Sequence, residues 1–322
     1  MKWLVTGGAG YIGTHVVRVL LAAGEDVVVV DDFSSGERKR VPDGVPLIVG
    51  SVLDRALLDE TFRTHRVDGV VHIAAKKQVP ESVARPLYYY EENVEGLRTL
   101  LAAMVAAEVP RIVFSSSAAV YGMPDVDLVD EDTPCLPINP YGESKLVGEW
   151  LIRATARAHG ISYASLRYFN VAGAGAPELA DAGVSNLVPM VLEKLTADRA
   201  PVIYGDDYAT PDGTCVRDFI HVVDLAEAHV AAARRLAADP DTRLVLNVGR
   251  SRGTSVREMV ELIREVTGLR EFAPQTLPRR AGDPARVVAS AERIAAELGW
   301  KARLDVSDMV ESAWAGWQAR RG

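Results

Sequence analysis

Tyr141 and Lys145 stand four residues apart in the run Pro140-Tyr141-Gly142-Glu143-Ser144-Lys145. On a helix that spacing places both side chains on one face. A lysine ammonium beside a phenol favours the phenolate, so the pair is predicted to depress the pKa of Tyr141 and to serve as a general acid/base for an alcohol or ketone. Tyr-x-x-x-Lys also arises by chance in helices, and the pair gains meaning only with partners. One candidate is Ser115-Ser116-Ser117, predicted to follow an apolar strand at 111–114. Three hydroxyls there could orient the hydroxyl of a bound ligand, or could cap a turn.

A second partner lies at the start of the chain. The apolar run Lys2–Thr6 leads into Gly7-Gly8-Ala9-Gly10-Tyr11-Ile12-Gly13, then a helical pattern stopped at Gly24, then a strand ending in Asp31-Asp32. Strand, glycine turn, helix, strand and acid within about thirty residues is the context of a dinucleotide site. The glycines let the backbone approach a pyrophosphate, and the helix N-terminus offers N–H groups to it. Asp31, placed for the adenosine ribose hydroxyls, would repel a 2′-phosphate, which favours NAD. The basic run Arg38-Lys39-Arg40 reads as a solvated loop.

The elements that would position these groups alternate. Strands are predicted at 46–50, 69–75 and 162–168, and helices at 53–65 and 87–107, with Tyr141 and Lys145 on a further helix. Lys76-Lys77 close one strand; loop lysines there serve phosphates or simply face solvent. The alternation predicts an α/β fold, a Rossmann-type doubly wound parallel sheet, with Gly7–Gly13, Asp31, Lys77, Ser117 and Asn170 at its carboxyl edge. After Gly173 the texture changes, and a smaller C-terminal α/β substrate-binding lobe is expected. The division reads as 1–171 for NAD and 172–322 for substrate, with part of 216–250 packing back on the first domain.

Bulk properties narrow the class. The chain has 322 residues, 48% hydrophobic and 25% charged, with a net charge of −8. An acidic protein is a poor match for nucleic acid or an anionic membrane surface. No apolar run reaches bilayer length and the N-terminus lacks a signal-peptide shape, so a cytoplasmic protein is expected. Two cysteines and six scattered histidines give no metal-ligand spacing.

These motifs resemble the extended short-chain dehydrogenase/reductase family, and within it the nucleotide-sugar 4-epimerases. The likeness rests on Gly-x-x-Gly-x-x-Gly in its strand–turn–helix setting, Tyr141-x-x-x-Lys145 and Ser117. It extends to the stretches at 72–82, 114–122, 166–170 and 212–224, the last containing Arg217-Asp218-Phe219-Ile220-His221. The resemblance implies interconversion of UDP-galactose and UDP-glucose through a 4-keto sugar over tightly held NAD. It makes Tyr141 the acid/base, Lys145 its electrostatic partner and ribose ligand, and Ser117 the hydroxyl that shares the 4-OH proton. It gives Gly7, Gly10, Tyr11, Ile12, Gly13, Asp31, Ser51, Val52, Lys77, Asn93, Tyr141, Lys145 and Tyr168 to NAD. Ser117, Tyr141, Asn170, Asn186, Leu187, Tyr204, Arg217, Arg280, Asp283 and Val287 fall to the UDP-hexose. A homodimer through the helices at 87–107 and 141–159 is also implied.

Three positions depart from the family. Ser51 stands where an aspartate near the adenine is common, and Cys215 replaces a usual glycine. Val287 lies where some members place a tyrosine against the sugar's C2 side, so room for an N-acetyl group, and activity on UDP-GlcNAc and UDP-GalNAc, is expected. A sugar 4,6-dehydratase would need carboxylates where Ala118 and Ala119 stand. A UDP-glucuronate 4-epimerase and a non-catalytic NAD(H)-binding sensor remain the competing readings.

Overall fold

Runs of apolar, largely β-branched residues between glycine turns build parallel strands buried on both faces. The structure, a computed structural model, describes residues 1–280 and 282–320. In chain order its first elements are β1 (Lys2–Thr6), α1 (Tyr11–Ala22), β2 (Asp26–Asp31), β3 (Leu47–Val49), α2 (Arg55–His65) and β4 (Gly69–His72). They are followed by α3 (Val79–Ala84), α4 (Pro86–Tyr89), α5 (Gly96–Ala106), β5 (Arg111–Ser117), α6 (Pro140–His159), β6 (Ser162–Tyr168) and β7 (Asn170–Ala172). The remainder comprises α7 (Leu187–Leu195), β8 (Val202–Tyr204), β9 (Val216–His221), α8 (Val222–Ala238) and β10 (Arg243–Val248). It closes with β11 (Gly253–Ser255), α9 (Val256–Thr267), β12 (Gln275–Leu277), β13 (Arg286–Val287), α10 (Glu292–Leu298) and α11 (Val306–Ala319).

Seven strands form one sheet in the order β10-β6-β5-β4-β1-β2-β3. The reversal of direction around β1 and β4 is the switch point of a doubly wound sheet, where ligands bind beyond the strand ends. Parallel register runs through it, with Val5 opposite both Val29 and Val71, and Val71 opposite Val113.

Two compact units emerge. Unit 1 comprises Met1–Gly122, Cys135–Arg167 and Ala226–Leu246. Its core packs Leu4, Val28 and Ile112 of the sheet against Leu58, Leu97, Leu100, Met104 and Ile152 of the helices. Unit 2 comprises Met123–Pro134, Tyr168–Leu225 and the chain from Asn247 onward. There Val188, Leu192, Met259, Ile263, Met309 and Val310 enclose Ile203 and Phe219. Met123–Pro134 groups with unit 2 because Val129 bridges to Ala289: its N–H donates to the Val288 carbonyl at 2.7 Å, and Ser290 N–H donates to Val129 at 2.7 Å.

Several boundaries differ from expectation. β5 runs on through all three serines, so Ser115 and Ser116 are strand residues and not a loop. β4 stops at His72, and the Ile73 and Ala74 N–H groups turn back onto the Thr6 carbonyl at 3.2 and 3.1 Å. The helix expected at 87–107 is interrupted by a π-helical turn at Tyr90–Glu95. Such turns insert a residue into the helical ladder and rotate the side chains beyond it. Asn170, two residues past the end of β6, opens β7, which pairs with β9 in a separate sheet, Asn170 opposite Phe219.

Candidate active site

The helix carrying Tyr141 and Lys145 starts where its sequence directs. Asn139 accepts from the Gly142 N–H at 2.9 Å as N-cap, Pro140 occupies the first turn, and Gly160 ends the helix at φ +69°. Tyr141, Lys145 and Glu149 share its buried face. Lys145 Nζ donates to the Ser115 carbonyl at 2.9 Å and lies 5.1 Å from the centre of the Phe114 ring. Phe114 in turn stacks on His72, whose Nδ1 shares a hydrogen bond with the Thr6 hydroxyl at 2.7 Å.

Burial dominates the electrostatics. It lowers the Lys145 pKa to about 7 and, with the Lys145 charge adding to it, the His72 pKa to about 3. The Tyr141 phenol is pushed above its ordinary value by burial, opposed by the nearby Ser117 hydroxyl. The expected depression of the phenol by Lys145 is therefore not found. The ammonium is engaged with a strand carbonyl and half-titrated near neutrality, and Ser117 is the group that eases the phenol downward.

The glycine turn fits a dinucleotide on steric grounds. A Cβ on Gly13 would lie 2.0 Å from the Gly7 carbonyl oxygen, and one on Gly7 would lie 2.8 Å from the Ala74 nitrogen. α1 begins at Gly10 without a side-chain cap and without an acidic residue in its first turn, so its N-terminus suits an anion. Tyr11 is buried there, packed edge-on against His15, and Ile12 is half-buried. Asp31 is held by the Ala9 and Phe33 N–H groups at 2.9 and 2.8 Å. Burial raises its pKa and those two donors oppose the rise.

Other predicted cofactor residues occupy unit 1 differently. The Ser51 hydroxyl accepts from the Leu53 N–H at 3.1 Å, a local turn bond, and Val52 beside it is buried. Lys77 is exposed, whereas Lys76 donates to Ser34 at 2.8 Å and lies 3.5 Å from Glu92. Asn93, in the π turn, binds both backbone groups of Lys76 at 2.8 and 3.0 Å and donates to Ser144 at 3.0 Å; Ser144 donates to the Tyr141 carbonyl at 2.8 Å. Its carboxamide thus ties the lysine loop to α6. Tyr168, half-buried at the end of β6, falls in unit 2.

Within unit 2, several predicted substrate residues gather. Arg217 of β9 donates to Asp283 at 2.9 Å and to the Pro284 carbonyl at 2.7 Å, and Val287 lies opposite it in register. The Arg280 guanidinium stacks 3.8 Å above the Tyr204 ring. Asn186 donates to Asp181 at 2.7 Å, and Leu187 opens α7. Asn170 is exposed on β7.

Sequence reasoning missed two buried acids. Asp218, the neighbour of Arg217 on the opposite face of β9, accepts from the Arg250, Ser251 and Ala289 N–H groups at 2.9, 3.0 and 3.2 Å, and burial pushes its pKa up to about 6. Glu149 pairs with Arg167 at 2.6 Å. Its signal was available: an acid four residues beyond Lys145 continues the buried stripe. No group of three or more His, Cys, Asp and Glu suited to a metal ion exists among the described residues, nor a helix long and apolar enough to cross a membrane.

Residues 3–249 match the NAD dependent epimerase/dehydratase family. The chain is 47% identical over 98% of its length to a UDP-glucose 4-epimerase of Azospirillum brasilense, covering 91% of that protein. It superposes at TM-score 0.95 and 38% identity on UDP-glucose-4-epimerase from Stenotrophomonas maltophila with bound NAD and formylated UDP-arabinopyranose, covering 100% of this chain and 99% of that one. The UDP-Glc/GlcNAc 4-epimerase of Campylobacter jejuni gives TM-score 0.87 at 36% identity, with 98% and 99% covered.

Proposed function

This chain belongs to the NAD dependent epimerase/dehydratase family, and from that premise we propose that it interconverts UDP-galactose and UDP-glucose by inversion at C4. The observation that carries the proposal is Tyr141 and Lys145 one turn apart on the buried face of α6, with Ser117 at the end of β5 easing the phenol downward, and with the glycine turn after β1 and Asp31 at the end of β2 of the sheet that holds β5. Ala118 and Ala119 supply no carboxylate for a dehydration.

Bound NAD supplies a hydride acceptor and donor for C4. The glycine turn and the N-terminus of α1 would hold its pyrophosphate, and Asp31 its adenosine ribose. Tyr141, as phenolate, takes the proton from the 4-OH, and Ser117 shares it, since its hydroxyl both donates and accepts. Raised phenol pKa in the protein means that Tyr141 favours its protonated form, which suits the return of the proton to the 4-keto oxygen. A cation beside it in the loaded site would balance the two directions. Inversion further requires the keto sugar to turn its other face while UDP stays held. Arg217 and Arg280 are assigned to the diphosphate, Arg for its paired donors, with Asn170, Asn186, Leu187, Tyr204, Asp283 and Val287 around the rest of the ligand.

Finer points belong to the same proposal. Residues 1–171 are assigned to NAD, 172–322 to the UDP-sugar, and the setting is cytoplasmic galactose metabolism. Val287, smaller than a tyrosine, leaves space at C2 for an N-acetyl group; the Campylobacter jejuni enzyme's UDP-Glc/GlcNAc activity supports this reading. Val83, Leu87 and Trp150 are 63, 84 and 51% exposed on α3, α4 and α6, elements that pack together, and form an apolar face suited to a homodimer. Incubation with UDP-galactose, UDP-GalNAc and UDP-galacturonate in separate reactions, with chromatography of the products, tests the assignment. Conversion of the first two supports it; turnover of the uronate alone replaces it with the uronate epimerase.

A further inference from the structure

Three consecutive serines of β5 meet one face of α6. Lys145 Nζ donates to the Ser115 carbonyl at 2.9 Å and the Ser116 hydroxyl donates to Glu149 Oε1 at 2.5 Å, while Ser117, the last residue of β5, eases the Tyr141 phenol downward. Lys145 and Glu149 are spaced four apart, so the two contacts fix both the rotation and the height of α6 against the strand end. Glu149 is gripped from its other side by Arg167 on β6, the strand next to β5. Arg167 Nε and Nη2 donate to the two carboxylate oxygens at 2.9 and 2.6 Å. Its Nη1 donates to the Tyr121 hydroxyl at 2.9 Å, with the guanidinium 5.0 Å from that ring's centre. Tyr121 closes the short turn Ala118–Tyr121 that begins at Ser117. Arg167 also bonds the Cys135 thiol.

This is a fully engaged, buried, forked ion pair joining β5, the turn after it, α6 and β6. Such pairs add little net stability over an apolar packing of the same volume; what they add is fixed geometry. Glu149 stands two helical turns beyond Tyr141, too far to touch a reacting atom. The geometry points to Glu149 and Arg167 as positioning residues, which lock the register of α6 against β5 and thereby set Tyr141 relative to Ser117 at the strand end. Only the turnover readout of this inference rests on the function proposed above.

The titratable groups facing the phenol are Lys145 on its own helix and Tyr89 of α4, with His72 of β4 beyond the lysine. None belongs to the Glu149–Arg167 cluster, so loosening the cluster acts on the phenol through Ser117. Ser117 lowers the phenol's pKa, and moving it away must raise that pKa.

Two variants test this: Ser116→Ala, which removes one hydroxyl, and the charge-free pair Glu149→Leu with Arg167→Met, which keeps volume. Tyr141 ionisation is read from phenolate absorbance against a Tyr141→Phe reference, alongside Tm, kcat and KM. In folded protein the midpoint for Tyr141 should rise by about half a pH unit or more, with kcat down about tenfold and KM within about twofold. Normal Tm with an unchanged or lowered midpoint overturns the inference, since a structural or through-space role would give those results. If the double variant does not fold, Ser116→Ala decides. Wild-type protein that turns over no UDP-hexose would refute the proposed function, while the phenol midpoint would still decide the positioning role.

Discussion

Lys145 Nζ donates to the backbone carbonyl of Ser115 at 2.9 Å, so the lysine is anchored to the strand that carries Ser117, the serine proposed for catalysis. Burial there lowers its pKa from 10.5 to about 7. Below about pH 7 the folded protein holds a buried charge, and its cost is present in full. Between that value and the ordinary one the folded lysine is neutral while the unfolded one still binds a proton, so stability climbs with pH. Lys145→Met should therefore raise Tm most below about pH 7, with the gain shrinking towards about pH 10, while kcat falls about a hundredfold or more. Thermal melts across that range check the sign; a gain that grows with pH would contradict it.

The glycine turn makes a sharper steric prediction. A methyl on Gly13 would sit 2.0 Å from the Gly7 carbonyl oxygen, whereas one on Gly24 meets nothing within 4 Å. Gly13→Ala should abolish NAD retention, measured by cofactor release on denaturing the purified protein. Gly24→Ala, strained by φ +82° but unobstructed, should cost about 1 kcal/mol in stability and keep its NAD.

Asp218 offers a test of unit 2. Three N–H groups converge on its carboxylate, and an amide would turn donors toward donors. Asp218→Asn should lower stability by about 2–3 kcal/mol in chemical denaturation. The wild-type carboxyl, raised from 3.8 to about 6, favours the folded state most below the lower value and loses that contribution as pH passes the upper one.

Val287 sets the sugar prediction. Val287→Tyr should reduce kcat/KM for UDP-GalNAc by about tenfold or more and leave UDP-galactose within about threefold, since only the former needs the volume. Equal losses on both substrates would show that the side chain does not face C2.

Much of this was readable beforehand, for physical reasons. The strand–glycine–helix–acid run is local, and sterics at Gly7 and Gly13 leave few alternatives to the turn observed. Tyr141 and Lys145 were legible because four residues on a capped helix align whatever surrounds them. Tertiary contacts decided the rest. Ser115 and Ser116 continue β5 beyond the end of β4, with α6 engaging their polar groups, which no hydroxyl propensity foretells. The π turn places Asn93 between the Lys76 loop and Ser144, an arrangement set by partners 17 and 51 residues away. The sign of the phenol shift was misjudged because burial, invisible in a spacing argument, outweighs the neighbouring ammonium.

The central claim is that C4 is inverted by an internal hydride transfer with Tyr141 and Ser117 moving only the oxygen-bound proton. Epimerisation of UDP-galactose in deuterated water, with the product examined by NMR at C4, tests it most directly. The expected product is UDP-glucose with ordinary hydrogen retained at C4, and no such product from Tyr141→Phe on the same timescale. Deuterium at C4, or undiminished conversion by Tyr141→Phe, would contradict it.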